Sequence, residues 1–245
     1  MANLIVDEGN TLCKIAVLDK SEVLYEVAMP EFDMEQAAEF IERYNVDKAV
    51  VASTRGGAAQ ICETLRSKVA KVLHFTSQTE VPIAIEYESC QTLGTDRIAV
   101  AVGVVCEMGI RDALIVDMGS AITFDVVENG VFKGGNISLG VAMRFRALHD
   151  YTASLPLCEK AEPSGAFGKS TTEAIEQGVM QGVLYEIEGY AERVLQKNEK
   201  NSIIFCGGDA ESFVNRIKNA IFAPRKLMFT GLNLILEHNV SKNNI

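Results

Sequence analysis

The sequence is short of histidine, proline and clustered positive charge, and each shortage excludes something. It has three histidines in 245 residues. His74, His149 and His238 have no partners at triad or metal spacing, so they read as packing or surface residues. The six cysteines (Cys13, Cys62, Cys90, Cys106, Cys158 and Cys206) never reach a C-x-x-C spacing, which argues against zinc and dithiol redox chemistry. Scattered among apolar neighbours, they read as buried thiols in a reducing compartment. There are five prolines and no low-complexity stretch, so any domain boundary is short. No Lys/Arg run reaches four residues, and 33 acidic against 23 basic residues give a net charge of −10. A nucleic-acid or anionic-membrane surface is not expected on that balance. No apolar run approaches a membrane span and no signal peptide precedes Leu4-Ile5-Val6, so a cytoplasmic location is expected.

What is present is a globular composition, 48% hydrophobic and 23% charged, in a length that suits one large domain or two ordinary ones. The chain repeats itself. Leu4-Ile5-Val6-Asp7-Glu8-Gly9 returns as Leu114-Ile115-Val116-Asp117-Met118-Gly119. Each copy is followed by a small polar residue, Asn10 or Ser120, and by an alternating apolar segment. The pattern predicts strand, tight polar turn and returning strand, twice. An Asn129-Gly130 turn leads the second block into a third strand at Val131. Around these hairpins the spacing predicts helices at 34–44, 57–69, 97–108, 141–150, 171–197, 209–219 and 231–239, with strands at 48–53, 71–75 and 202–206. Two similar α/β domains with a cleft between them are expected, residues 1–112 and 113–245.

Chemistry concentrates at the repeated turns. A carboxylate at a strand end followed by glycine lets the backbone approach a ligand, and successive N–H groups there can hold phosphate oxygens. The side chains of Asn10, Thr11 and Ser120 can add to them, and Lys14 supplies a cation. Asp7 and Asp117 would repel phosphate unless they hold cations, directly or through water. One such turn alone is common; two with the same Leu-Ile-Val lead point to a ligand. A third acidic position, Asp96 in Leu93-Gly94-Thr95-Asp96-Arg97, has two readings: a helix cap, or a base beside a cation that holds an anionic substrate. The pairs Gly134-Gly135 and Gly207-Gly208 read as turns, the second preceding a helix start able to meet a nucleotide.

Taken together, these segments resemble the type III pantothenate kinases of the acetate and sugar kinase/Hsp70/actin superfamily. The resemblance rests on residues 7–14, 93–97 and 117–123, and continues through Gly134-Gly135-Asn136-Ile137, Gly168-Lys169-Ser170-Thr171, Gly207-Gly208-Asp209-Ala210 and Gly231-Leu232. It implies two ribonuclease-H-like domains with an interdomain cleft, and ATP-dependent phosphorylation of pantothenate, the first step of coenzyme A synthesis. By the resemblance, Asp7, Glu8, Gly9, Asn10, Thr11, Leu12, Cys13 and Lys14 face the ATP phosphates, with Asp7 near Mg²⁺, and Ser120 contacts ATP. Asp96 is the general base on the substrate hydroxyl. Asp117 binds a monovalent cation, K⁺ or NH₄⁺. Tyr87, Gly94, Thr95, Asp96, Arg97 and Thr171 contact pantothenate, the threonine coming from the neighbouring subunit of a homodimer. Three places depart from the family pattern: Glu8 where an apolar residue is usual, Ser89-Cys90 for Asn-Pro, and Leu139 for Pro. The rival readings are another small-molecule kinase of the superfamily and a nucleotide-binding regulator that does not turn over.

Overall fold

The computed structural model describes residues 2–223 and 226–245, and the chain forms two compact units. The first comprises Met1–Arg111, Gly130–Phe132 and Lys226–Ile245; the second comprises Asp112–Asn129 and Lys133–Arg225.

In the first unit, β1 (Asn3–Glu8) lies between β2 (Cys13–Asp19) and β4 (Lys48–Ser53), and the sheet order is β3-β2-β1-β4-β5, with β3 at Glu22–Met29 and β5 at Lys71–His74. β2 runs antiparallel to β1 and β3, while β4 and β5 run parallel to β1. This is the ribonuclease-H-like order. Both faces of β1 are covered, which is why Leu4-Ile5-Val6 is a continuous apolar run rather than an alternating one. Leu4 and Val6 meet α1 (Met34–Tyr44) and α2 (Ala58–Leu65), through Ala37, Phe40, Ile61 and Leu65. The helix α1 starts where Asp33 caps it, its carboxylate accepting the N–H groups of Glu35 and Gln36, and ends on a left-handed Asn45.

The opposite face, which carries Asn3, Ile5 and Asp7, is covered by α7 (Leu227–Ser241). Asn3 Nδ2 donates to Asn233 Oδ1 at 2.7 Å and to Glu237 Oε1 at 2.6 Å, and Lys48 Nζ joins Glu237 at 2.7 Å. Burial raises the Glu237 carboxyl, but the hydrogen bonds from Lys48 and Asn3 outweigh it and hold the group below its ordinary value of 4.5. α7 in turn packs on α3 (Thr95–Val102). The two helices touch backbone to backbone: a Cβ on Gly231 would stand 1.9 Å from the carbonyl oxygen of Ala99.

The second unit repeats the order as β9-β8-β7-β10-β11, formed by β7 (Ala113–Met118), β8 (Ala121–Glu128), β9 (Val131–Leu139), β10 (Ser202–Cys206) and β11 (Ala220–Phe222). β7 pairs antiparallel with β8 and parallel with β10, as β1 does with β2 and β4. α4 (Val141–Asp150) and α5 (Thr171–Lys197) cover one face, burying Leu114, Val116 and Phe124 against Phe145, Val179 and Val183. The duplication read in the sequence is therefore a duplication of topology. The hairpin turn falls at Asn129 and Gly130, both at positive φ, as an Asn-Gly pair allows.

Three expectations need correction, and one strand is new. The C-terminal helix, assigned to the second half of the chain, belongs to the first unit, held there by the Asn3, Lys48 and Ala99 contacts described above. The apolar helix expected at 97–108 is α3, followed by a π-helical turn at Gly103–Glu107, and its apolar surface is buried against α7 within one unit. The helix expected at 209–219 is only α6 (Glu211–Val214). A left-handed Asn219 then turns the chain into β11, which pairs with β10. The two-residue strand β6 (Ala84–Ile85), which has no sequence signature, pairs with Val131 and Phe132.

Candidate active site

Asp7 closes β1, faces the side of the sheet that α7 covers, and is 5% exposed. Lys14 lies opposite it across the hairpin, Nζ 4.0 Å from Asp7 Oδ2. Between them residues 9–12 form a four-residue turn closed by a hydrogen bond from Gly9 N to Leu12 O at 3.0 Å. Asn10, Thr11 and Leu12 are exposed at its tip. Cys13 is fully buried in the core; burial, then the neighbouring Glu8 and Asp7 carboxylates, push its thiol up to about 11. A neutral, buried thiol offers a phosphate only its backbone.

Glu8 turns away from the tip of the turn. Its Oε2 accepts from Ser53 Oγ at 2.5 Å and from the N–H of Gly57 at 3.2 Å. The carboxylate that departs from the family pattern is thus held at the N-terminus of α2, where the helix dipole favours negative charge.

The segment Leu93-Gly94-Thr95-Asp96-Arg97 opens α3. Gly94 is the N-cap residue, and Asp96 stands in the first turn, where its Oδ1 accepts the N–H of Arg97 at 2.8 Å. Asp96 Oδ2 has no hydrogen-bond partner among the described residues. One oxygen of Asp96 therefore supports the helix start, and the other is left without a protein partner there. Arg97 is 6% exposed, and its guanidinium carbon lies 5.8 Å from the ring centres of both Tyr87 and Phe132. The structure thus brings Tyr87 and Arg97 together, with Phe132 as a second ring that the sequence did not announce. Phe132 comes from β9, delivered by the pairing of Ile85 with Phe132 and the bond from Glu86 N to Phe132 O at 2.9 Å.

The second unit carries Asp117, Ser120 and Thr171. Here the turn is shorter: Gly119 N donates to Ala121 O at 3.0 Å, and Gly119 and Ser120 are exposed. Gly207, at φ 90°, lets the end of β10 pass against β7; a Cβ there would stand 2.5 Å from the Met118 backbone. Asp117 shares its sheet face with Thr123, its partner across the hairpin, and with Asp125, two residues further on. Asp125 is 2% exposed, and Thr123 Oγ1 donates to its Oδ2 at 3.2 Å. Burial, followed by Asp117 and Asp125, raises the thiol of Cys206 well above its ordinary range, as expected beside two carboxylates. Asp125 was not among the expected site residues. Its signal was the i, i+2 pairing with Thr123 on a strand already read as alternating.

Thr171 opens α5, with Ser170 Oγ accepting the N–H of Glu173. It lines a cavity of about 760 Å³ in the second unit with Leu139, Tyr151, Leu155 and Ala174.

The sequence profile of the type III pantothenate kinase family matches residues 3–193. A type III pantothenate kinase of Bacteroides fragilis is 37% identical over 242 residues, covering 97% of this chain and 98% of that one. Among solved structures, a Campylobacter jejuni protein described as a Baf family transcriptional activator superposes with a TM-score of 0.63 at 24% identity, covering 97% of this chain and 99% of that one. The activator of the 2-hydroxyisocaproyl-CoA dehydratase from Clostridium difficile superposes with a TM-score of 0.52 at 14% identity, over 100% and 98%. These two likenesses speak for the fold alone.

Proposed function

The chain belongs to the type III pantothenate kinase family, and from that premise we propose how its residues carry the transfer of phosphate from ATP to pantothenate that opens coenzyme A synthesis. The observation that carries the reading is the α3 start, where a carboxylate with one uncommitted oxygen sits beside a buried arginine that rests against two rings.

Pantothenate is a carboxylate with a primary alcohol. Arg97, set against the Tyr87 and Phe132 rings, suits the anionic end, and Gly94 and Thr95 border it. Asp96 Oδ2 takes the hydroxyl proton as the alcohol oxygen attacks the γ-phosphorus and the bond to ADP breaks. Such transfer depends on positioning and charge neutralisation rather than on covalent intermediates. The turn at residues 9–12, with Lys14, orients the polyphosphate, and Ser120 meets ATP from the second turn. Kinases of this family use ATP with a divalent metal, which neutralises phosphate charge. Asp7, a buried carboxylate at the strand end, suits that ion through water.

Asp117 is the residue for K⁺ or NH₄⁺, and the surroundings fit a hard cation: two carboxylates and a hydroxyl on one sheet face, beside a thiol kept protonated. When bound, the cation would offset the negative charge of the two carboxylates. Asp125→Asn is accordingly expected to raise the K⁺ concentration for half-maximal activation by about 10–100-fold, with kcat recovered at saturating K⁺. A K⁺ titration that overlays the parent curve would remove the cation from this face.

The second unit also exposes large apolar side chains, Phe167 at 97% and Tyr151 at 89%, which favours a homodimer in which Thr171 serves the pantothenate held by the other copy. Reduced thiols and an ATP-dependent reaction fit a cytoplasmic enzyme.

A further inference from the structure

Arg55 is exposed, yet each of its three guanidinium nitrogens donates a hydrogen bond. Nε and Nη2 both donate to the carbonyl oxygen of Asn10, at 3.1 and 2.8 Å, and Nη1 donates to that of Pro30 at 3.2 Å. No carboxylate pairs with it among the described residues. The loop that carries it is itself anchored. Ser53 Oγ accepts the N–H groups of Arg55, Gly56 and Gly57 at 3.0, 2.9 and 3.2 Å while donating to Glu8 Oε2. The N–H of Thr54 donates to Glu8 O at 3.0 Å. The loop at 53–57 therefore grips the β1–β2 hairpin twice, at its base through Glu8 and at its tip through Asn10.

The peptide bond makes the second grip consequential. A trans peptide is planar, and its C=O and the following N–H point in opposite directions. A forked guanidinium that fixes the Asn10 carbonyl also fixes the direction of the Thr11 N–H. A turn that holds phosphate works through the directions of its N–H groups, and an inward-facing carbonyl would repel the ligand. We propose that Arg55 is a positioning residue of the nucleotide site: by holding the Asn10 carbonyl it sets the peptide plane that meets the ATP phosphates. The inference rests on the reading of residues 9–12 as the turn that meets those phosphates.

Steady-state kinetics of Arg55→Ala, Arg55→Lys and Lys14→Ala, with a thermal melt of each, test it. Arg55→Ala is expected to raise KM for ATP about tenfold, equivalent to the turn losing about one charge-assisted hydrogen bond to phosphate, with KM for pantothenate and Tm close to those of the parent. Arg55→Lys keeps the charge but loses the fork, and should be impaired as much as Arg55→Ala. Restoration by lysine would reduce Arg55 to a point charge and overturn the positioning role. An effect of Lys14→Ala on KM for ATP without any effect of Arg55→Ala would overturn the inference and leave the turn's assignment standing. If neither variant changes KM for ATP, the assignment of the turn falls too. A rise in both KM values together with a lower Tm would make Arg55 merely structural, again overturning the proposal.

Discussion

Asp96→Asn is expected to lower kcat by about 10²–10⁴-fold, with Tm and both KM values close to those of the parent. The substitution is nearly isosteric. An asparagine oxygen can still accept the N–H of Arg97, the bond that Asp96 Oδ1 makes at 2.8 Å, so the start of α3 keeps its support. Arg97 remains held by the two rings, and the anionic end of pantothenate keeps its partner. What is lost is the ability to take a proton, since an amide is not a base at neutral pH. Loss confined to kcat marks an interaction made only in the transition state. A melt that coincides with the parent, together with ADP release at the detection limit, is the expected pair of results. Near-normal kcat would reduce Asp96 to the helix-start residue that its position also permits.

Gly231→Ala is expected to destabilise the chain by about 1–3 kcal/mol and to reduce activity further than the melt suggests. The new Cβ would stand 1.9 Å from Ala99 O, 2.8 Å from Ala99 C and 3.2 Å from Gly103 N. All three are backbone atoms of α3 and the turn after it, so no side chain can swing aside; α7 and α3 must separate. α3 carries Asp96 and Arg97 at its start, so the shift reaches the reacting groups, and small misplacements there are costly. Gly189→Ala is the control. That glycine is exposed in the middle of α5 with nothing within 4 Å of its Cβ position, and alanine there should stabilise by about 0.5–1 kcal/mol. Thermal melts of the two variants should move in opposite directions. A neutral Gly231→Ala would mean that the helices can part without loss.

Much of this arrangement was legible in the chain because it is local. The amphipathic spacing of Ala37, Phe40 and Ile41 gave α1 its span at Met34–Tyr44, and the two Leu-Ile-Val-Asp blocks gave β1 and β7. The turns after them differ in a way the repeat concealed, four residues in one and two in the other, because the shared signal ends at the glycine. What the sequence did not disclose depends on partners distant along the chain. β6 exists only because Phe132 pairs with it. α7 joins the first unit through contacts with residues more than a hundred positions earlier. Asp125, Phe132 and Arg55 became site candidates only when the fold set them beside Asp117, Arg97 and Asn10. Glu8 is the reverse case. On paper it put a carboxylate beside the phosphates, and the structure turns it instead onto Ser53 and the start of α2.

The most direct measurement is ADP release from MgATP by the purified chain, with pantothenate and K⁺ or NH₄⁺ each present or omitted. ADP formation is predicted only when both are supplied, in step with phosphopantothenate. ATP turnover that ignores pantothenate, or transfer to a different acceptor in its place, would contradict the account.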